Sequence, residues 1–104
     1  MQLSALGWAK DERSEPRDAA HHRTRATLPD GRVLPLVVVN TSAGGLMARC
    51  EETCEAGNPL RIELPVVGAL SVEVRWSLGG RIGCRFDQPL AAERYDALLA
   101  ALQR

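Results

Sequence analysis

From residue 21 onward, apolar and polar residues follow one another in short runs bounded by glycine, proline and asparagine. The clearest run, Pro59–Leu64, alternates leucine and isoleucine with arginine and glutamate, so its apolar side chains share one face of a strand. Pro29-Asp30-Gly31 and Gly79-Gly80 have the composition of tight turns. The pattern predicts six short antiparallel strands, over residues 22–28, 32–39, 46–49, 59–64, 69–76 and 81–86.

Two of these runs carry further information. Pro35 cannot donate a backbone hydrogen bond, which favours an edge position or a bulge in the second strand. In the fifth strand, the period of two places Val74 and Trp76 on the same face as Leu70 and Val72. We therefore expect Trp76 to share a face of the strand with the valines.

The period changes near the end of the chain. Leu90, Tyr95, Leu98 and Leu102 fall at helical spacing, which predicts an amphipathic helix over about residues 90–103, with Asp87 in a position to cap it. The leucine stripe favours packing against a core over a groove for a partner. Since no strand–helix–strand alternation is present, the sequence predicts an all-β fold with a C-terminal helix, a six-stranded antiparallel β-barrel rather than a parallel sheet.

The first 20 residues differ from the rest of the chain. They are mostly polar, show no sustained period, and contain Pro16, which would interrupt a helix. The sequence therefore predicts two parts, a flexible N-terminal arm over residues 1–20 and a barrel with its helix over residues 21–104.

Composition excludes several function classes. Thirteen basic and thirteen acidic residues cancel, which disfavours general DNA or RNA binding. The longest apolar run is too short for a membrane span, and the N-terminus lacks the basic and apolar regions of a signal peptide. We therefore expect a cytoplasmic protein that does not insert into membranes.

The cysteines and histidines are a weak metal signal. Three cysteines are an odd number, which argues against a disulfide scaffold. The spacing of Cys50, Cys54 and Cys84 matches no closed structural zinc pattern, and adjacent His21 and His22 would face opposite sides of a strand. The sequence favours small buried thiols and no metal site.

Two short motifs carry the strongest chemical signal. Arg13 and Arg17 form an Arg-x-x-x-Arg pair in the arm, and Asn40, Ser42 and Gly45 form an Asn-x-Ser-x-x-Gly turn after the apolar run of residues 36–39. Taken alone, the arginines are compatible with a solvated arm and the turn with an ordinary hairpin connection. Their joint occurrence in this order favours a binding site for a guanine-containing phosphate ligand.

These motifs resemble those of PilZ domains, and so do Arg75-Trp76 and Gly83-Cys84-Arg85-Phe86 in the predicted closing hairpin. The resemblance covers residues 12 to about 100. It implies a split-barrel type of six-stranded fold that serves as a receptor for the bacterial second messenger cyclic di-GMP. It also implies no enzymatic activity and no cofactor besides this ligand.

The resemblance assigns a role to each motif residue. Arg13 and Arg17 would clasp a guanine edge and a phosphate, because the planar guanidinium fork fits the N7 and O6 acceptors of guanine. Asn40 would lie near the Watson–Crick edge, where its single amide oxygen offers less than a carboxylate. Ser42 would donate to a phosphate or to its own turn. Gly45 would adopt a positive φ and let the ligand approach.

The implied function is a receptor whose ligand orders the arm and thereby signals to a protein effector in trans. Glu12 beside Arg13 is expected to repel ligand phosphates or to pair with Arg13. The alternative is a PilZ-like protein–protein adaptor that does not bind nucleotide, although adaptors of that kind typically lack the motif arginines. An enzyme is disfavoured because the chain shows no catalytic triad, no carboxylate pair in a plausible cleft and no phosphate-binding loop that opens a helix.

Overall fold

In a computed structural model of the chain, which describes residues 16–103, six strands form a sheet that closes on itself and one helix follows. The strands and the helix are β1 (Asp18–Thr27), β2 (Val33–Ser42), β3 (Gly45–Arg49), β4 (Pro59–Leu64), β5 (Gly68–Leu78), β6 (Arg81–Phe86) and α1 (Ala92–Leu102). All strand pairings are antiparallel, in the order β1-β2-β3-β6-β5-β4, and β1 closes the barrel by pairing with β4. The predicted barrel with a C-terminal helix is confirmed.

The core lies inside the barrel and beneath the helix. Ile62, Val74 and Ile82 point inward from three strands and are fully buried. From α1, Leu98 and Leu102 join the same core, so the predicted leucine stripe does pack against the barrel. Each such side chain contributes roughly 1.5–3 kcal/mol by leaving water, which makes the helix a part of the folded unit.

Two strands extend further than the pattern predicts. β1 begins at Asp18 rather than at His22, so Asp18 and Ala19, which the sequence assigns to the arm, pair with β2. β2 runs through Ser42, and the turn to β3 consists of Ala43 and Gly44 alone. The polar residues at the end of β2 have turn-forming side chains, but their backbones pair with β1 and β3.

The predicted orientation of Trp76 is wrong. Between Val74 and Trp76 the pairing of β5 with β6 shifts by one residue, so a β-bulge at Arg75 turns the following side chain to the other face. Trp76 therefore lies on the outer surface, 38% exposed, against Gly83 of β6. A bulge leaves no trace in the period of two, which continues through residue 76 in the sequence.

The start of the helix also differs from expectation. Asp87 lies too early to cap α1. The N-cap position is Ala91, which makes no side-chain capping bond, and Glu93 provides the acidic side chain of the first turn. Asp87 instead uses its backbone N–H to bond the carbonyl of Ser71 on β5. By contrast, Pro35 lies where β2 extends beyond β3, so its predicted edge position is confirmed.

The three cysteines are buried free thiols, as predicted. Burial raises the pKa of the Cys84 thiol to about 12, and burial likewise raises the pKa of Cys54. Over residues 16–103, histidine, cysteine and acidic side chains form no cluster that could hold a metal ion. No helix in the same range has the length and apolar character needed to cross a membrane.

Candidate functional site

The two sequence motifs meet at the end of the β1–β2 pair where β1 begins and β2 ends. Nη1 of Arg17 donates to Oδ1 of Asn40 over 2.9 Å, across a separation of 23 positions in the chain. The contact follows from the register, because Asp18 lies opposite Thr41 and Ala19 lies opposite Asn40. Antiparallel pairing thus converts a distant pair of motifs into neighbours. Arg13 lies outside the described residues, and its place in the site stays a prediction.

Asn40 stands in a row of outward-facing residues that crosses four strands. Its cross-strand neighbours are Met47 on β3, then Gly83 on β6 and Trp76 on β5. Nδ2 of Asn40 lies 4.0 Å from the sulfur of Met47. The amide of Asn40 therefore lies between the cationic side chain of Arg17 and the apolar side chain of Met47.

Trp76 and Gly83 fit each other. A Cβ atom on Gly83 would collide with the indole of Trp76, so the glycine allows the ring to lie directly on the strand backbone. The sequence predicts neither the outward ring nor its contact. The resemblance included Trp76 and Gly83 in the closing hairpin, and the pair supplies an aromatic surface on β5 and β6.

Ser42 and Thr41 are buried polar residues at the end of β2, 2% and 0% exposed. The hydroxyl of Thr41 donates to the carbonyl of Gly45 over 2.9 Å, and the hydroxyl of Ser42 accepts from the N–H of Gly44 at 3.3 Å. Of the two roles expected for Ser42, the structure contains the bond to its own turn. Contact with a ligand phosphate stays a prediction, and it requires that the hydroxyl become accessible.

The turn between β2 and β3 is fixed from outside as well. The N–H of Phe86 donates to the carbonyl of Gly44, and the N–H of Leu90 donates to the carbonyl of Ala43, both over 2.8 Å. The backbone that carries Ser42 is therefore held by the end of β6 and by the segment that leads into α1. Such a turn is preorganised, because its carbonyl groups already have partners.

The expected reason for Gly45 is wrong. Gly45 is the first residue of β3 and does not adopt a positive φ. A Cβ atom at this position would instead collide with the carbonyl oxygen of Cys84 and lie 3.2 Å from Cα of Arg85. The glycine is required because β3 and β6 approach closely here, which places the site hairpin tightly against the barrel.

Helix α1 supports the beginning of β1, immediately after Arg17. The hydroxyl of Tyr95 lies 2.5 Å from Oδ2 of Asp18 and 3.1 Å from the carbonyl oxygen of Thr41, so its single proton serves one acceptor at a time. Nε2 of Gln103 donates to the carbonyl of Ala19 over 2.7 Å. The sequence places Tyr95 in the helical stripe but does not predict these contacts. The one signal is its polar tip among leucines.

Charged side chains flank the aromatic surface. Oε1 of Glu73 accepts from Nη2 of Arg85 at 3.2 Å and lies 3.9 Å from Nη1 of Arg75. One carboxylate thus lies between two guanidinium groups next to the row that contains Trp76, which leaves an excess of positive charge there. Arg17, which precedes β1, and the pair on β5 and β6 are thus the arginines that an anionic ligand on the outer surface could meet.

These elements define a small six-stranded β-barrel domain with one C-terminal helix and with Arg17 and Asn40 in contact on its outer surface. The chain matches the family model of the PilZ domain over residues 11–104 and belongs to the PilZ family. A search of the curated proteins found no match. PilZ domains are binding and adaptor domains rather than enzymes, and the family is generally one of cyclic di-GMP receptors.

Proposed function

We propose that this protein is a single-domain bacterial receptor for cyclic di-GMP that signals to a protein effector in trans. The observation that carries the proposal is the hydrogen bond between Arg17 and Asn40, which unites the two motifs on the outer face of the barrel. The proposal implies a cytoplasmic protein, because the messenger acts inside the bacterial cell.

The geometry supports recognition of guanine and phosphate by Arg17. A guanidinium has five N–H donors in a fixed fork, and the bond to Asn40 uses one of them. The exposed side chain keeps donors for the N7 and O6 acceptors of a guanine or for a phosphate oxygen. The bond to Asn40 holds the guanidinium over the site before a ligand arrives, which lowers the ordering cost of binding.

The outer face also supports base stacking. Trp76 presents a partly exposed indole in the row that contains Asn40 and Met47. Stacking of a base on an aromatic ring contributes about 1–3 kcal/mol. We propose that one guanine of the ligand lies against this ring and that the other presents its edge to Arg17 and Asn40.

The position of the arm suggests how binding becomes a signal. Arg17 precedes β1, whose first residues are held by Tyr95 of α1 and by Gln103, which follows the helix. A ligand held by both Arg13 and Arg17 would fix the chain between them against this anchored end. Ordering of that segment changes the surface offered to a partner, and the ligand stabilises whichever state it binds more tightly.

Calorimetric titration with cyclic di-GMP tests the proposal, with GTP and cyclic GMP as comparison ligands. At a free concentration about a hundredfold above Kd, the ligand should stabilise the fold by about 2.7 kcal/mol. For a domain of this size, that is a rise of more than about 4 °C in Tm. Saturating ligand that produces neither heat nor a shift in Tm would disprove the receptor function.

Two variants connect binding to the site. Arg17→Ala should weaken binding roughly tenfold or more, since a bidentate arginine–guanine contact contributes about 1–3 kcal/mol. Arg61→Ala is the matched control, because Arg61 is an exposed arginine on β4, away from the motifs. Equal weakening in both variants would show that the titration reports general charge rather than this site.

A specific observation favours the alternative of an adaptor that does not bind nucleotide. Ser42 is buried, and the amide oxygen of Asn40 already accepts from Arg17, so two motif groups have partners within the protein. In an adaptor, Arg17, Asn40 and Ser42 would serve to stabilise the start of β1 and the end of β2. Arg17→Ala would then lower Tm, and cyclic di-GMP would change the Tm of neither the parent protein nor the variant.

A further inference from the structure

Three arginines on β1, β3 and β6 form a row on the outer surface of the barrel, and the row passes over β2, the strand that contains Asn40 and Ser42. Arg23 on β1 lies opposite Val37 on β2, Val37 lies opposite Arg49 on β3, and Arg49 lies opposite Arg81 on β6. All three arginines are exposed. This arginine row crosses β2 three residues before Asn40, and it is separate from the two motifs.

The arginine row differs from most of the cationic surface by its lack of partners. Within residues 16–103, Arg23, Arg49 and Arg81 make no ion pair and no side-chain hydrogen bond. By contrast, Arg25 pairs with Glu63, and Arg32 pairs with Asp30 and Glu52. Like charges directly opposite each other on neighbouring strands are destabilising, and Arg49 faces Arg81 in this way. An arrangement that costs stability in the free protein is relieved by an anionic partner.

A groove runs beneath the arginine row. It has a volume of about 930 Å³ and exists because β2 extends beyond the end of β3 at Arg49. Pro35 and Val37 form part of its apolar floor, and the turn Gly79-Gly80 forms part of its wall. The combination of an apolar floor with three cationic side chains fits a ligand that is both acidic and partly apolar.

We propose that this groove docks a short, extended, acidic segment of a partner protein. Neighbouring strands lie about 4.8 Å apart, so the backbones that carry Arg23 and Arg49, two strands apart, are separated by at most about 10 Å, the length of about three extended residues. The order Arg23, Val37, Arg49 matches a segment in which two carboxylates flank an aliphatic side chain. Bonds between guanidinium and carboxylate groups would supply the specificity, and contact with Val37 would supply apolar burial.

The groove fits a peptide better than a nucleic acid. Among residues 16–103, no aromatic side chain lines the groove, so the described part of it lacks a surface on which unpaired bases stack. Glu51 and Glu52 lie at its margin, where they would repel a continuous line of phosphates. The chain as a whole carries no net charge at pH 7. The inference depends on the arginine row and holds whether or not the protein binds cyclic di-GMP.

Fluorescence anisotropy with a labelled peptide tests the inference. The probe is an extended peptide in which glutamate alternates with serine around one central valine, and its comparison peptide replaces each glutamate with glutamine. The acidic peptide should bind, more weakly as salt is added, and the glutamine peptide should not. Arg49→Gln and Arg81→Gln should each weaken binding roughly tenfold. Arg61→Gln on β4 should leave it unchanged.

Other outcomes overturn the inference. Equal binding of both peptides, no binding of the acidic peptide, or equal weakening by Arg61→Gln would exclude a specific acidic-peptide site. A single-stranded oligonucleotide that binds with the same affinity would show a general polyanion surface instead. Self-association of the protein that Arg49→Gln abolishes would make a second copy the occupant. The variants should bind cyclic di-GMP like the parent protein, so failure here and failure of the proposed receptor function are distinguishable.

Discussion

The β2–β3 and β5–β6 hairpins lie side by side, because β3 pairs with β6. Both contain two consecutive glycines, but they depend on glycine for different reasons. In the β5–β6 hairpin, Gly79 and Gly80 adopt φ values of 62° and 77°, and a Cβ atom on either would meet open space. In the β2–β3 hairpin, Gly45 has no positive φ, and a Cβ atom would collide with the neighbouring strand. The first hairpin is determined by its own backbone, and the second by its packing against β6.

The difference explains why the motif lies where it does. The turn of the β2–β3 hairpin is bonded by Phe86 and Leu90, which lie more than 40 positions along the chain. Asn40 and Ser42 are therefore positioned by the whole barrel rather than by a local turn. A binding site benefits from such support, because each group held in place before binding lowers the ordering cost.

Among the substitutions that test this comparison, Gly45→Ala should lower the free energy of unfolding the most. The added methyl group would overlap the carbonyl oxygen of Cys84, a backbone atom that cannot move without a shift of β6. We expect a loss of about 3 kcal/mol in the free energy of unfolding, at the upper end for an overpacked site. Urea unfolding measures it. A variant as stable as the parent would show that β3 and β6 are not in close contact here.

The sequence predicted the elements whose pattern is local. The bounds of β4 and β6 match because period-two alternation marks a half-buried strand directly. The end of β2 was missed because Asn40 and Ser42 are turn-forming residue types whose strand conformation depends on pairing with β1 and β3. The outward face of Trp76 was missed because the bulge at Arg75 exists only in the pairing with β6.

In the site, too, the sequence predicted the motif residues but not the contacts that depend on the fold. The motifs predicted that Arg17 and Asn40 belong together, and the register of β1 with β2 brings them into contact. The partners of Tyr95 could not be predicted, because they lie 77 and 54 positions away in the chain. Nor did the sequence mark the arginine row, because its members lie on strands whose adjacency is a property of the fold alone.

The pH dependence of stability should sharpen the comparison at β6, since Cys84 lies opposite both Leu46 of β3 and Val74 of β5. Burial raises the pKa of Cys84 from an ordinary value of 9.0 to about 12, so the folded protein keeps a proton that the unfolded chain loses. The stabilisation is full below pH 9 and is lost between pH 9 and 12. The slope approaches about 1.4 kcal/mol per pH unit.

The measurement is urea unfolding from pH 8 to pH 10.5 for the parent protein and for Cys84→Ala. The variant should start less stable, because it lacks buried volume, and should decline less steeply. Other titrating groups are common to both proteins, including Cys54, whose pKa is also raised by burial. Parallel curves would mean that the thiol of Cys84 titrates alike in the folded and unfolded chains.

Substitutions in the β5–β6 turn should have smaller effects that depend on backbone conformation alone. Gly80→Ala should cost about 1 kcal/mol, because an L-residue with a side chain is strained at positive φ although nothing obstructs it. Gly79→Asn should be nearly neutral, since it creates the Asn-Gly sequence favoured in two-residue hairpins. Equal losses in these two variants would point to a steric cause instead of a conformational one.

Tyr95→Phe should have the most local effect of these substitutions. The change removes a hydroxyl within reach of Asp18 and Thr41 and keeps the ring, so about 1 kcal/mol is expected. Amide hydrogen exchange should accelerate at Ala19 and Ala20, next to Arg17, while the β5–β6 hairpin stays protected. Uniform acceleration would show only a less stable barrel. Local acceleration would show that α1 anchors the strand that presents Arg17, which ties the position of the helix to the geometry of the site.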